Sequence, residues 1–162
     1  MSDVTIRPAT AADRPWLIGA MAAINDHERT LHDSRRPGVA CGDAYLTQVE
    51  AAIAEHGGAI LIAMRGEVPL ACIAFRTVRA DNAAETDDSN VFGYVSDLFV
   101  AEHERGQRFA GRLLGEAERY FRAAGLRRMR IGSLTANTPA VRAYARFGFD
   151  DYEVVLEKRL NP

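Results

Sequence analysis

Trp16, Leu17, Ala20, Met21 and Ile24 fall at three- and four-residue intervals, the spacing of one helix face. The stretch from Thr10 or Asp13 to about Asn25 therefore reads as an amphipathic helix. Ala110, Leu113, Leu114, Ala117, Phe121 and Ala124 make the clearest such stripe and predict a helix over 108–124, stopped by Gly125. On its polar side Arg112–Glu116 and Glu118–Arg122 are spaced for i,i+4 ion pairs. Another helix is predicted over 43–55, closed by Gly57-Gly58. A short one opens at Thr138-Pro139, a cap followed by proline at the first helical position, and ends near Gly148.

Val4–Arg7, Ile60–Met64, Leu70–Val78, Phe92–Val100, Arg128–Leu134 and Glu153–Leu160 are apolar or β-branched runs bounded by turn residues, and read as strands. Gly66–Pro69 is a hairpin turn between the second and third. Residues 27–42 are polar and interrupted by Pro37, Gly38 and Gly42; residues 80–90 are acidic; both read as loops. The order β-α-α-β-β-β-α-β-α-β is a mixed α/β arrangement (an α+β mixed sheet) with no repeat or linker, so one domain over 3–162 is expected.

Composition narrows the function. A chain of 162 residues can bury a core without disulfides or metal. Its 22 acids against 20 bases give no global attraction for nucleic acid or anionic membrane. Cys41 and Cys72 form no CxxC pair, and His27, His32, His56 and His103 share no metal-ligand spacing, so no metal is expected. The N-terminus lacks a basic stretch followed by an apolar one, and no run has the length of a membrane span; a soluble cytoplasmic protein is expected. There is no GxSxG elbow, P-loop or GxGxxG.

Candidate chemistry concentrates where a strand, Ser96-Asp97-Leu98-Phe99-Val100, runs through Arg105-Gly106-Gln107-Arg108-Phe109-Ala110-Gly111 into the best helix. The first amides of a helix have no intrahelical partner, and with the helix dipole they make an anion site suited to a pyrophosphate. Gly106, Ala110 and Gly111 allow close backbone approach, and Arg105, Arg108 and Arg112 add positive charge. These residues alone leave phosphate binding and an ordinary solvated helix start equally open.

This run resembles the cofactor motif of the GNAT N-acetyltransferases, Arg/Gln-x-x-Gly-x-Gly/Ala after a strand of the form x-Asp-Leu-x-Val. Arg105 and Ala110 match its ends, and Asp97-Leu98-Phe99-Val100 matches the strand. Arg108 stands at the middle glycine, where helical φ/ψ is expected of it. Asn137, Ala140, Tyr144, Gly148 and Phe149 match the family's second signature, Asn-x-x-Ala-x-x-x-Tyr-x-x-x-Gly-Phe. The element order matches as well, so the resemblance covers essentially the whole chain.

The resemblance implies a central, mostly antiparallel sheet flanked by helices and splayed between the strands at Tyr94–Val100 and Arg128–Leu134. It implies acetyl-CoA as co-substrate, pantetheine along Leu98, Phe99 and Val100, pyrophosphate on the amides of Gln107, Arg108, Phe109, Ala110 and Gly111, and the thioester carbonyl near the Leu98 amide. Arg105 and Gly106 complete the cofactor set. It implies Tyr144 as general acid and Asn137 as an orienting group, both touching the cofactor end. The acceptor would be a primary amine of a small molecule or peptide, walled by residues 27–42 and 80–90. Relatives often carry a glutamate where Ser96 stands. Serine is a poor base, so a water relay, Asp97 or an acid from elsewhere would have to serve; strand alternation turns Asp97 to the face opposite Ser96, and the base is left unassigned. A silent acyl-CoA sensor and a nucleic-acid-binding domain are the alternatives, and homodimerisation stays open.

Overall fold

The computed structural model describes residues 4–160. β1 (Val4–Pro8), β2 (Gly58–Arg65), β3 (Val68–Arg79), β4 (Val91–Val100) and β5 (Met129–Ile131) form one sheet in that order. The first four are antiparallel, and β4 and β5 are parallel. Two layers of helix cover it. α1 (Arg14–Arg29) and α2 (Gly38–His56) pack on one face against Ile60, Ile62, Cys72 and Ala74. On the other, α4 (Phe109–Ala123) and α5 (Thr138–Phe147) cover Ala71, Ile73, Phe75 and Val95. β3 lies between both layers, so Leu70 to Phe75 are buried without a break, as expected of a strand covered on both faces.

α2 begins five residues earlier than the predicted helix, and α1 runs on to Arg29, so only about half of 27–42 is loop. The reason lies in Gly38 and Gly42. A Cβ on Gly38 would sit 2.3 Å from the Ala22 carbonyl oxygen, and one on Gly42 would sit 2.9 Å from that of Ile18. The glycines are one face of α2 pressed onto α1, and not breakers. The acidic stretch also holds a single turn, α3 (Asp87–Asn90), fixed by Arg128 on Asp88 and Arg130 on Ser89.

Two further expectations are corrected. Arg112 does not pair with Glu116; it donates to the Val4 carbonyl, and Glu116 takes Arg119 instead. Glu153–Leu160 forms no strand, and β5 is shorter than the expected 128–134. A strand needs a neighbour's ladder, and residues 150–160 make no backbone–backbone hydrogen bond among the described residues.

β4 carries two features that shape the site. Its register against β3 passes from Phe75↔Val95 to Ala74↔Asp97, so Ser96 is an extra residue in a β-bulge. Its parallel ladder with β5 covers only Gly93↔Met129 to Val95↔Ile131. Beyond Val95 the two strands part.

Candidate functional site

A cavity of about 800 Å³ opens where β4 and β5 separate. Leu98, Phe99 and Val100 line it from β4, Ile131 to Leu134 from the end of β5, and Asn137, Ala140 and Tyr144 from α5. Arg105 and Ala110 reach it from the start of α4. The β4 residues after Val95 pair with β3 on one side only. Their other edge therefore offers unpaired backbone donors and acceptors to the cavity, as an open sheet edge does.

The turn into α4 is held from outside. Glu104, 5% exposed, takes a bidentate ion pair from Arg65 at 2.8 Å, and Arg65 also donates to Gln107. The first intrahelical bond runs from the Arg112 amide to the Arg108 carbonyl, so the amides of Phe109, Ala110 and Gly111 lack intrahelical partners. Arg108 does not take the expected helical conformation. Its φ of 64° and ψ of 15° are left-handed, alone among the described non-glycine residues. The turn demands the shape a glycine would adopt freely, and Arg108 adopts it under strain.

Of the sequence-derived candidates, Leu98, Phe99, Val100, Arg105, Ala110, Asn137 and Tyr144 lie together on the cavity. The Gly106, Gln107, Arg108, Phe109 and Gly111 positions form the turn and helix start beside it. The Phe109 side chain is buried in the core.

On the opposite wall Tyr45 is the residue that no sequence signal marked. Tyr45 on α2 donates to Asp97 Oδ1 at 3.0 Å and Oδ2 at 3.3 Å. Asp97 is 5% exposed, and among the described residues no Arg, Lys or His hydrogen-bonds it. Burial raises its pKa above the ordinary carboxylate value, while the hydrogen bond from Tyr45 pulls the other way. Asp97 does face away from Leu98, as alternation requires, yet the bulge leaves both on the same cavity. Glu28 from α1 lines it too, in an ion pair with Arg35. Tyr144 is pushed up to about 12, first by burial and then by the charges of Glu28 and Asp97.

The two expected loop walls divide. Residues 27–42 supply His27, Glu28 and Arg35, but nothing from 80–90 lines the cavity. α3 is tied to Arg128 and Arg130 near the first residues of β4, whereas the cavity opens at the strand's other end. Among the described residues no group of three His, Cys, Asp or Glu is placed to hold a metal ion. No described helix is long and apolar enough to cross a membrane.

With a splayed mixed sheet and this cavity established, the class can be stated. Residues 22–149 match the acetyltransferase (GNAT) family, and the chain belongs to it. No curated protein matches the sequence significantly. Among solved structures, the aminoglycoside N-acetyltransferase AAC(6')-Iy in complex with CoA is 22% identical at a TM-score of 0.72, covering 100% of this chain and 97% of its own. A GCN5-related N-acetyltransferase from Ralstonia eutropha JMP134 is 18% identical at a TM-score of 0.75, covering 97% and 99%. A transcriptional regulator from Bacillus halodurans C-125 is 16% identical at 0.74, covering 98% and 100%. At such identities the likeness is one of fold.

Proposed function

We propose that the protein transfers an acetyl group from acetyl-CoA to a primary amine by direct attack, with both substrates bound together in the split between β4 and β5. One observation carries the reading: the free edge of β4, the unpaired amides of α4 and Tyr144 converge on one cavity with a buried carboxylate, held by Tyr45, opposite. The residues present fit CoA. An open strand edge can pair with the amides of a pantetheine arm, and a helix N-terminus beside Arg105 suits a pyrophosphate.

Bound acetyl-CoA supplies the activated acetyl group. The Leu98 amide, on the bulged strand, is the donor for the charge that develops on the carbonyl oxygen. An acceptor arrives as an ammonium, and Asp97 is the counter-charge it meets. Asp97 takes the proton that frees the nitrogen lone pair. As the new C–N bond forms and the C–S bond breaks, Tyr144 gives its proton to the departing sulfur, and the second proton shed by the new amide nitrogen restores the Tyr144 hydroxyl. A hydroxyl pushed up to about 12 is protonated at neutral pH, as a general acid must be. Asn137 positions the reacting end of the cofactor. Arg35, neutralised by Glu28, is available to a carboxylate or hydroxyl of the acceptor.

The experiment is a screen of amines, amino acids, aminoglycosides and N-terminal peptides for acetyl-CoA-dependent thiol release. Release with at least one primary amine, accompanied by an acetylated product, is the expected result. Retained acetyl-CoA binding with no turnover on any class would make the protein a silent acyl-CoA module.

A further inference from the structure

The connection between α1 and α2 places one guanidinium on the acceptor side of the cavity. Arg35 lines it beside Glu28, whereas the other lining arginine, Arg105, stands toward the start of α4. The Arg35 Nε–H donates to Glu28 Oε2, and Nη1 donates to Ser34 Oγ at 3.1 Å. A guanidinium has five N–H groups. Both on Nη2 and the second on Nη1 therefore have no acceptor among the described residues. Glu28 holds the planar group by its inner nitrogen and leaves the outer fork open, the edge that takes both oxygens of a carboxylate.

The other end of this space is anionic. Glu28 and Asp97 are the two carboxylates on the lining. Both charges act on the Tyr144 hydroxyl, and Glu28 also acts on Tyr45 and Asp97. Arg35 is bonded to Glu28, so its open fork and the Tyr144 hydroxyl belong to one site. Of the two carboxylates Glu28 is already engaged, which leaves Asp97 for one ammonium. The acidic run at 80–90 lines no part of the cavity. A polyamine or aminosugar with several ammonium groups would bring surplus positive charge against Arg35, a like-charge approach that costs affinity. A molecule with one ammonium and one carboxylate meets an opposite charge at each end.

We propose that the acceptor is an amino acid, with its carboxylate on the outer fork of Arg35 and its amine directed to Asp97, and that Arg35 is the residue that determines this specificity. The assignment rests on the transferase reading above and narrows its acceptor class. His27, on the same wall, has no bidentate edge, so Arg35 sets the acceptor's orientation.

The test measures kcat and KM for acetyl-CoA-dependent acetylation of the common L-amino acids and the straight-chain ω-amino acids. Each is compared with its own carboxamide, which keeps the amine and removes the negative charge. At least one free acid is expected to exceed its carboxamide about tenfold or more in kcat/KM, the scale of hydrogen bonds between charged groups. Arg35→Met should erase that preference through KM rather than kcat, and Arg35→Lys should recover part of it. Should the arginine variants fail to fold, the comparison of acid with carboxamide on wild type decides alone. Amines or aminosugars acetylated without preference for a carboxylate would overturn the amino-acid assignment and leave acetyl transfer standing. A preference that survives Arg35→Met would overturn the role of Arg35. No turnover of any amine, with acetyl-CoA still bound, would overturn the transferase reading and this proposal with it.

Discussion

The Tyr45 hydroxyl donates to both carboxylate oxygens of Asp97, joining the middle of α2 to the strand just after its bulge. This bond opposes the rise that burial imposes on the pKa of Asp97, the buried carboxylate of the proposed acceptor wall. The pKa of Asp97 is raised, so the folded state holds the proton more tightly than the unfolded state, where the value is about 3.9. The resulting stability is present below that ordinary value and is lost as pH rises through the raised one. Asp97→Asn removes this loss, so its stability relative to wild type should grow with pH across that window in denaturant titrations.

Catalysis should follow the opposite sign, because proton acceptance needs the ionised carboxylate. The acid limb of kcat/KM should lie above the ordinary carboxylate range. Tyr45→Phe, which removes a bond that lowers the pKa of Asp97, should move that limb to higher pH. Asp97→Asn should abolish the limb and cost about a hundredfold or more in kcat. An acid limb unmoved by Tyr45→Phe would remove Tyr45 from any positioning role.

Tyr144→Phe keeps the ring that packs edge-on against Phe149 and removes only the hydroxyl. kcat should fall about a hundredfold where chemistry limits the rate, with the melting temperature and acetyl-CoA affinity held. No alkaline limb from Tyr144 should appear below about pH 10, since its hydroxyl titrates near 12. Full turnover by the phenylalanine variant would make Tyr144 a packing residue.

Arg108 occupies a left-handed conformation that costs a non-glycine residue about 1–2 kcal/mol. Arg108→Gly removes that strain and gives back part of it as unfolded-chain entropy. A net stabilisation of about 0.5–1 kcal/mol, roughly 2 °C in melting temperature, is expected. A loss of stability would mean that the Arg108 side chain contributes more to the turn than its backbone costs.

The helix faces and β1 to β4 were legible because each rests on spacing within one stretch of chain, whereas the grouping of Leu98, Phe99, Val100, Arg105, Ala110, Asn137 and Tyr144 was expected from the resemblance to two family motifs. What was not legible depends on contacts between stretches. Gly38 and Gly42 look like breakers until Ala22 and Ile18 lie against them. Tyr45 meets Asp97 across 52 positions, and the bulge at Ser96 appears only once β3 supplies the register. The acidic run at 80–90 was expected at the acceptor mouth from the family resemblance and its charge, and Arg128 and Arg130 hold its end away from the cavity. Glu153–Leu160 has the composition of a strand, and composition does not provide a partner.

The central claim is that the split between β4 and β5 is the acetyl-CoA site, and thermal unfolding with and without acetyl-CoA tests it most directly. A ligand that binds only the folded state stabilises by mass action, about 2.7 kcal/mol at a hundredfold excess over Kd. Wild type should therefore melt several degrees higher with saturating acetyl-CoA. Ala110→Asp puts a negative side chain where α4 meets the cavity, and should melt at the same temperature with or without the ligand. Equal shifts in wild type and variant, or no shift in wild type, would contradict the account.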